Sequence, residues 1–239
     1  MILRDKVALI TGASEGLGEA IAWRLAKEGA EIWLVARSES KLVSVRDRIN
    51  SAGMRANYCV CNVASPSDVK ECVERIKQAA PSVDILINNA GIWLQGKIED
   101  ASSSQIERVF AVNTLGSIFV TQAILPIMIN QNSGHIINIL SDSAIEPFPE
   151  WAFYVASKYG ARGFTDSLRK AVERTRLKVT SVYPGGINTN LFKNAGIELS
   201  SNEPWMMNKE DIADIVAHIV TRPHDIVIEH VVVRKSVVY

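Results

Sequence analysis

Short runs of consecutive apolar residues alternate along this chain with longer stretches in which apolar positions recur every three or four residues. Lys6-Val-Ala-Leu-Ile-Thr11 and Glu31-Ile-Trp-Leu-Val-Ala36 are the first two runs, and they read as strands covered on both faces. Between them lie Gly12-Ala-Ser-Glu-Gly16-Leu-Gly18, an amphipathic helix to about Lys27, and Gly29 as its stop. The pattern repeats. Helices are expected near Ser40–Ser51, Ser67–Ala79, Ser103–Ile129, from about Tyr154, and near Lys209–Val220. Strands are expected near Ala56–Cys61, Asp84–Asn88, His135–Leu140 and Lys178–Tyr183, and within Ile226–Val233. Such alternation predicts an α/β fold, a parallel sheet of about seven strands with helices on both faces. No repeat, low-complexity tract or linker divides the chain, so residues 1–239 read as one domain.

Composition narrows the function classes. With 26 basic and 26 acidic residues the formal net charge is zero, which gives no electrostatic case for nucleic acid or an anionic membrane. Hydrophobic residues make up 47%, enough for a large core. The longest apolar stretch, Ile118–Ile129, is interrupted by Thr121, Gln122 and Pro126 and is too short to span a bilayer. Cys59, Cys61 and Cys72 are odd in number and lack zinc spacing, so they are expected as buried core thiols in a reducing compartment. The first strand starts within about five residues, leaving no room for a signal peptide. A cytoplasmic location is expected.

The stretch Ser141–Lys158 holds the candidate chemistry. Tyr154 and Lys158 are four apart, and on a helix they share one face. An isolated tyrosine, with a pKa of about 10, is a poor acid at neutral pH. An ammonium roughly 5 Å away, at an effective dielectric of ~20, favours the phenolate by about 3 kcal/mol. That corresponds to roughly 2.4 pKa units and is expected to bring the phenol toward a working range. Ser141 follows the apolar run Ile136-Ile-Asn-Ile-Leu140, whose strand would set its hydroxyl beside the phenol to hold a carbonyl oxygen. A lone Tyr-x-x-x-Lys pair also occurs on ordinary solvated helix faces.

The glycine loop sits between the first strand and the first helix, where backbone approaches a pyrophosphate at a helix N-terminus. An ordinary tight turn would use the same residues. The second strand ends Ala36-Arg37-Ser38, without the acid that would bind a ribose diol. A guanidinium there instead pairs with a 2′-phosphate, which favours NADP over NAD. Asn88-Asn-Ala-Gly91 follows the fourth strand, and Asn113 lies inside the long helix. Tyr183-Pro-Gly-Gly-Ile-Asn-Thr189 closes the sixth strand with a loop that would cover a nicotinamide.

Taken together, Thr11-Gly-x-x-x-Gly16-x-Gly18, Asn88-Asn-Ala-Gly91, Asn113, Ser141, Tyr154-x-x-x-Lys158 and Pro184-Gly-x-x-x-Thr189 resemble the single-domain short-chain dehydrogenases/reductases over essentially the whole chain. The resemblance implies a doubly wound Rossmann fold and a catalytic set of Asn113, Ser141, Tyr154 and Lys158. In it Tyr154 is the general acid in carbonyl reduction, Lys158 lowers its pKa and binds the nicotinamide ribose, Ser141 orients the substrate oxygen, and Asn113 holds a water that extends the proton relay. Cofactor contacts are implied for Gly12, Ser14, Gly16, Leu17, Gly18, Arg37, Ser38, Asn62, Val63, Asn89, Ala90, Gly91, Tyr154, Lys158, Pro184, Gly185, Ile187 and Thr189. The helices bearing Asn113 and Tyr154 resemble those that pair subunits into homodimers or homotetramers. Asn62 replaces the usual aspartate near the adenine but keeps an acceptor. Glu15 replaces a basic residue of some NADP-preferring members, and its charge opposes a 2′-phosphate.

Trp93, Leu94, Ser143, Phe148, Trp151, Gly186, Leu191 and Phe192 are expected to wall the substrate, although core packing would use the same residues. Neither flanking loop offers an arginine to clamp a carboxylate, and Glu146 and Glu150 would repel one, so a neutral ketone, aldehyde or diketone is expected. The run Pro223–Arg234 is similar to the ending of members that act on small carbonyls or 3-hydroxy acids, with Lys235 in place of a proline. The expected activity is NADPH-dependent carbonyl reduction. An oxidative NAD-dependent alcohol or hydroxysteroid dehydrogenase and a non-catalytic NADP-binding regulator stand as alternatives.

Overall fold

The computed structural model describes residues 1–80, 82–198 and 203–236. Its strands are β1 Val7–Thr11, β2 Glu31–Ala36, β3 Arg55–Val60, β4 Ile85–Asn88, β5 Gly134–Ile139, β6 Leu177–Pro184 and β7 His230–Val233. Its helices are α1 Gly16–Lys27, α2 Glu39–Ser51, α3 Pro66–Ala79, α4 Ser103–Phe110, α5 Gly116–Gln131, α6 Ala152–Val172 and α7 Lys209–Val220. The strands form one sheet in the order β3-β2-β1-β4-β5-β6-β7, and every pairing is parallel. This is the doubly wound Rossmann-like architecture, with its order reversing between β1 and β4.

The period of two along each strand divides the core. Ala8, Ile10, Ile32 and Leu34 pack on one face with buried residues of α1, α2 and α7. Val7, Leu9, Trp33 and Val35 point the other way, toward α3, α5 and α6. Cys59, Cys61 and Cys72 are free and buried in this second layer. Full burial on both faces explains why β1 reads as an unbroken apolar run.

The expected helix Ser103–Ile129 differs from the structure in one respect that matters for the site. It runs from Ser103 to Gln131, and between α4 and α5 the residues Ala111–Leu115 form a π-helical turn. The full helix of 29 residues is long and apolar enough to cross a membrane, contrary to the reading of Ile118–Ile129 as too short. It is nevertheless a core helix, because Val120, Ile124 and Met128 are 3% exposed or less and pack on the sheet.

Buried amides pin the two helices nearest the site. Asn88 and Asn138 face each other in register on β4 and β5. Asn88 Nδ2 donates to Asn138 Oδ1 (2.8 Å) and Thr121 Oγ1 of α5 (2.9 Å). Asn138 Nδ2 donates to Thr165 Oγ1 of α6 (2.7 Å). Buried polar groups left without partners cost more than the bonds gain. Asn138→Ala is therefore expected to destabilise by about 2–3 kcal/mol, lowering Tm by roughly 5–10 °C in calorimetry. An unchanged Tm would show that this ladder carries no stability.

A second buried pair sets the acid limit. Thr180 Oγ1 donates to Ile228 O (2.6 Å), so it accepts from His135 Nε2–H (2.8 Å), and the ring is neutral. Burial, with a smaller contribution from the Lys178 charge, pushes the His135 pKa down to about 3. In the unfolded chain the ring protonates near 6.5. The unfolded state thus binds the extra proton first, and the stability present above about pH 6.5 is lost as pH falls toward 3. Tm is expected to drop between pH 7 and 5, and to drop less steeply in His135→Gln, whose amide still donates to Thr180. Equal slopes for the two proteins would rule this out.

Candidate functional site

The site lies where the sheet order reverses, at the carboxyl ends of the strands. Thr11, the last residue of β1, holds the two neighbouring loops together. Its Oγ1 accepts from Asn89 N and Ala90 N (3.0 Å each), while Asn89 Nδ2 donates to Thr11 O (2.9 Å). The approach is so close that a Cβ on Gly12 would stand 2.9 Å from Ala90 Cα, and one on Gly18 would strike Gly12 O. Gly12 and Gly16 have φ of 65° and 62°, a conformation that favours glycine. The start of α1 has no side-chain cap, and Gly16 and Leu17 border open space there.

That space is one cleft of about 1530 Å³. A single drug-sized ligand takes about 300–1,000 Å³, so there is room for a dinucleotide and a second small molecule. Of the candidate residues, Gly12, Ser14, Gly16, Leu17, Arg37, Ser38, Asn62, Val63, Asn89, Ala90, Gly91, Ser141, Tyr154, Lys158, Pro184, Gly185, Ile187 and Thr189 line it. Gly18 and Asn113 do not; Gly18 lies behind the loop, packed on Gly12. Across the cleft mouth, Thr189 Cβ stands 3.5 Å from the position a Cβ on Gly16 would take. Asn62 borders the cleft, and its Oδ1 accepts from Ala64 N (3.2 Å) within its own turn.

Ser141, Tyr154 and Lys158 converge at the inner end, and each is at most 7% exposed. Ser141 Oγ accepts from Ser143 N (3.2 Å) and donates to Asp142 Oδ1 (3.3 Å). Lys158 Nζ lies 5.8 Å from the Tyr154 ring centre and donates to Ile139 O (3.3 Å). The Nζ lies beside Gly91, where an added Cβ would stand 3.7 Å from it.

One expectation needs correction. Lys158 does not bring the phenol down: burial pushes the Tyr154 pKa up, the Ser141 hydrogen bond opposes this, and the Asp142 charge adds to it. Burial also pushes the Lys158 pKa down to about 8. The physical reason is that both groups are withdrawn from water, and desolvation outweighs the separated Coulomb attraction. The Asn113 side chain is engaged with protein atoms. Its Oδ1 accepts from Ile92 N (2.8 Å), and its Nδ2 donates to Ile92 O (2.9 Å) and Ser157 Oγ (3.0 Å). The π turn aims this amide across to the loop after β4.

The expected substrate wall also borders the cleft: Trp93, Leu94, Ser143, Phe148, Trp151, Gly186, Leu191 and Phe192 all face it. Trp93 is the centre of an aromatic cluster, with ring centres 4.2 Å from Tyr154, 4.5 Å from Trp151 and 4.8 Å from Phe192. Three residues went unread in the sequence. Trp205 lies flat on Gly186, leaving no room for a Cβ. Lys41 borders the cleft beside Arg37 and Ser38, and its Nζ donates to Glu15 Oε2 (2.9 Å). Arg234 comes from the end of β7 to meet Glu146 (2.9 Å) and Asp142 (3.4 Å), so an arginine does reach the substrate end, already paired with two carboxylates. Only the charge at Lys41 had a local signal, one helical turn after Arg37.

The glycine cradle, the uncapped helix start and the cationic set Arg37 and Lys41 fit a phosphate-bearing dinucleotide. Comparison with known proteins agrees. The family model described as short chain dehydrogenase matches residues 6–200. An oxidoreductase of Staphylococcus epidermidis is 35% identical over 232 residues, covering 97% of this chain and 98% of the relative. A metagenomic short-chain oxidoreductase solved in complex with NADP is 31% identical with a TM-score of 0.87, covering 99% of this chain and 100% of the other. An alcohol dehydrogenase of the archaeon Thermococcus sibiricus, complexed with 5-hydroxy-NADP, is 26% identical with a TM-score of 0.90, covering 98% and 99%. With its fold, its cleft and a family match over most of its length, this chain belongs to the short-chain dehydrogenase family of oxidoreductases.

Proposed function

We propose that this protein reduces a small neutral carbonyl compound to an alcohol with NADPH, one domain carrying both the cofactor site and the catalytic groups. The observation that carries this reading is the convergence of Ser141, Tyr154 and Lys158 at the inner end of the cleft that begins at the glycine loop. When bound, NADPH supplies a hydride. Gly12, Ser14, Gly16 and Leu17 would hold the pyrophosphate, and Asn62, Val63, Asn89 and Ala90 the adenosine. Lys158 would hold the nicotinamide ribose with Gly91 and Tyr154 beside it, and Pro184, Gly185, Ile187 and Thr189 the carboxamide.

Tyr154 gives its proton to the carbonyl oxygen, which Ser141 Oγ orients. A phenol whose pKa is raised by burial stays protonated until the oxygen gains charge, which suits an acid in the reductive direction. Lys158, with a pKa of about 8, is still protonated at neutral pH and stabilises the phenolate left behind. Asn113 acts by position, fixing the backbone at Ile92 and the start of α6 through Ser157.

NADP is favoured by Arg37, Ser38 and Lys41 at the end of β2 and by the NADP-bound relatives. Glu15 opposes this with its negative charge, which the pairing with Lys41 offsets in part. A neutral substrate is favoured by the aromatic walls, and because Arg234 is already matched by Asp142 and Glu146. Leu115 and Tyr159, 42% and 40% exposed on the helices beside the site, favour a homodimer or homotetramer.

In a spectrophotometric assay with NADPH and a panel of ketones, aldehydes and diketones, Tyr154→Phe is expected to lower kcat by about 10²–10⁴-fold, with NADPH affinity within a few-fold. An active Phe variant would sink the mechanism. Arg37→Ala and Lys41→Ala are each expected to raise the KM for NADPH by about tenfold, through loss of a charge-assisted bond, and to leave that for NADH nearly unchanged. Equal effects on both cofactors would remove the case for a 2′-phosphate site.

A further inference from the structure

Glu15 is hard to explain as a cofactor residue. It stands at the N-cap of α1, where the helix dipole and backbone amides favour a bound phosphate, and its negative charge works against that. Its partners lie elsewhere. Besides Lys41, its carboxylate accepts from Asn190 Nδ2 (3.1 Å) and Asn194 Nδ2 (3.0 Å), which follow β6 some 175 residues along the chain. Burial favours the neutral acid, but the bonds from Lys41, Asn190 and Asn194 outweigh it and hold the carboxyl below its ordinary pKa.

These two amides bracket the residues that wall the substrate. Leu191 and Phe192 lie between them, and Asn194 N donates back to Asn190 O (2.8 Å), closing the segment into one turn. Phe192 is 8% exposed and sits 4.8 Å from Trp93, whose ring lies 4.2 Å from Tyr154. We propose that Glu15 is a positioning residue for the substrate wall: its carboxylate anchors the turn 190–194 to the glycine loop and so holds Phe192 against Trp93 beside Tyr154. The wall's role rests on the reductase reading; the anchor itself does not. A charge unfavourable to the cofactor is retained because it ties the substrate half of the cleft to the cofactor half.

The test uses Glu15→Gln in the full-length protein. A carboxamide of the same size has one acceptor oxygen, and its NH₂ meets donors. Hydrogen exchange followed by mass spectrometry is expected to quicken in residues 189–198 of this variant. With the best carbonyl of the panel, KM for that carbonyl is expected to rise about tenfold, as loss of bonds to a charged group implies, while NADPH binds as well or better. Asn190→Ala with Asn194→Ala is expected to reproduce the rise, and adding Glu15→Gln to be non-additive, with little further effect. Unchanged exchange in 189–198, or strictly additive effects on KM, overturns the proposal. The exchange measurement needs no turnover, so failure of every carbonyl in the panel would count against the reductase reading alone.

Discussion

The close approach of the β1 and β4 loops at Thr11 and Asn89 is the constraint on which the rest of the cleft depends. Parallel strands splay their connecting loops apart where the order reverses, and a crevice opens there. Thr11 Oγ1 and the Asn89 amide keep that crevice narrow on its inner wall, and only glycine at 12 and 18 permits the separation. Helix α1 is thereby set with its N-terminus facing the cleft. The loop after β4 is set with Gly91 beside Lys158, and Trp93 follows over the Tyr154 ring. The Thr11–Asn89 hydrogen bonds thus align the cofactor half with the substrate half.

Burial is the second organising force, and it acts on charge. Tyr154, Lys158 and Ser141 are held in a nearly dry pocket by α6 and the loop after β5. The same desolvation that raises the phenol pKa lowers that of the ammonium, driving apart two values that ordinarily nearly coincide. The buried phenol therefore holds its proton more tightly than an exposed tyrosine would, and the buried ammonium holds its own less tightly. Asp142 works against the phenolate, and Arg234, from the last strand, moderates that carboxylate. The C-terminal segment is in this way part of the electrostatics of the inner end, although it is remote in sequence.

The α4–α5 helix shows how a local irregularity serves a distant residue. Asn113 sits within the irregular turn between α4 and α5. The π turn at Ala111–Leu115 directs its amide to both polar backbone atoms of Ile92 and to Ser157, joining β4 to α6. Asn88, Asn138, Thr121 and Thr165 form a second tie between the same elements below it. The inner wall of the cleft is therefore tied by two sets of side-chain hydrogen bonds. The outer wall, residues 186–198 and 203–207, is held by backbone bonds from Met207 N to Gly186 O and from Asn188 N to Met207 O, and by side chains: Trp205 on Gly186, and Asn190 and Asn194 on Glu15.

The elements were legible in the sequence because a strand buried on both faces must be apolar throughout, and a helix lying on a sheet must be apolar at every third or fourth position. β1, β2 and α7 match their expected spans within about a residue, and the glycine loop, Asn89, Tyr154 and Lys158 could be picked out because each is tied to a local geometry. The residues that went unread, or were read differently, depend on neighbours far along the chain. Lys41 and Glu15 are charges of unremarkable spacing until α2 brings them together. Arg234 meets Asp142 only because β7 pairs beside β6, and Trp205 meets Gly186 only because the chain folds back after Phe192. The sign of the Tyr154 shift was likewise beyond sequence spacing, since spacing gives the separation of two charges but not how much water is removed around them. Local periodicity and backbone freedom determined the fold and the outline of the site; long-range packing decided its charges, its walls and its ties.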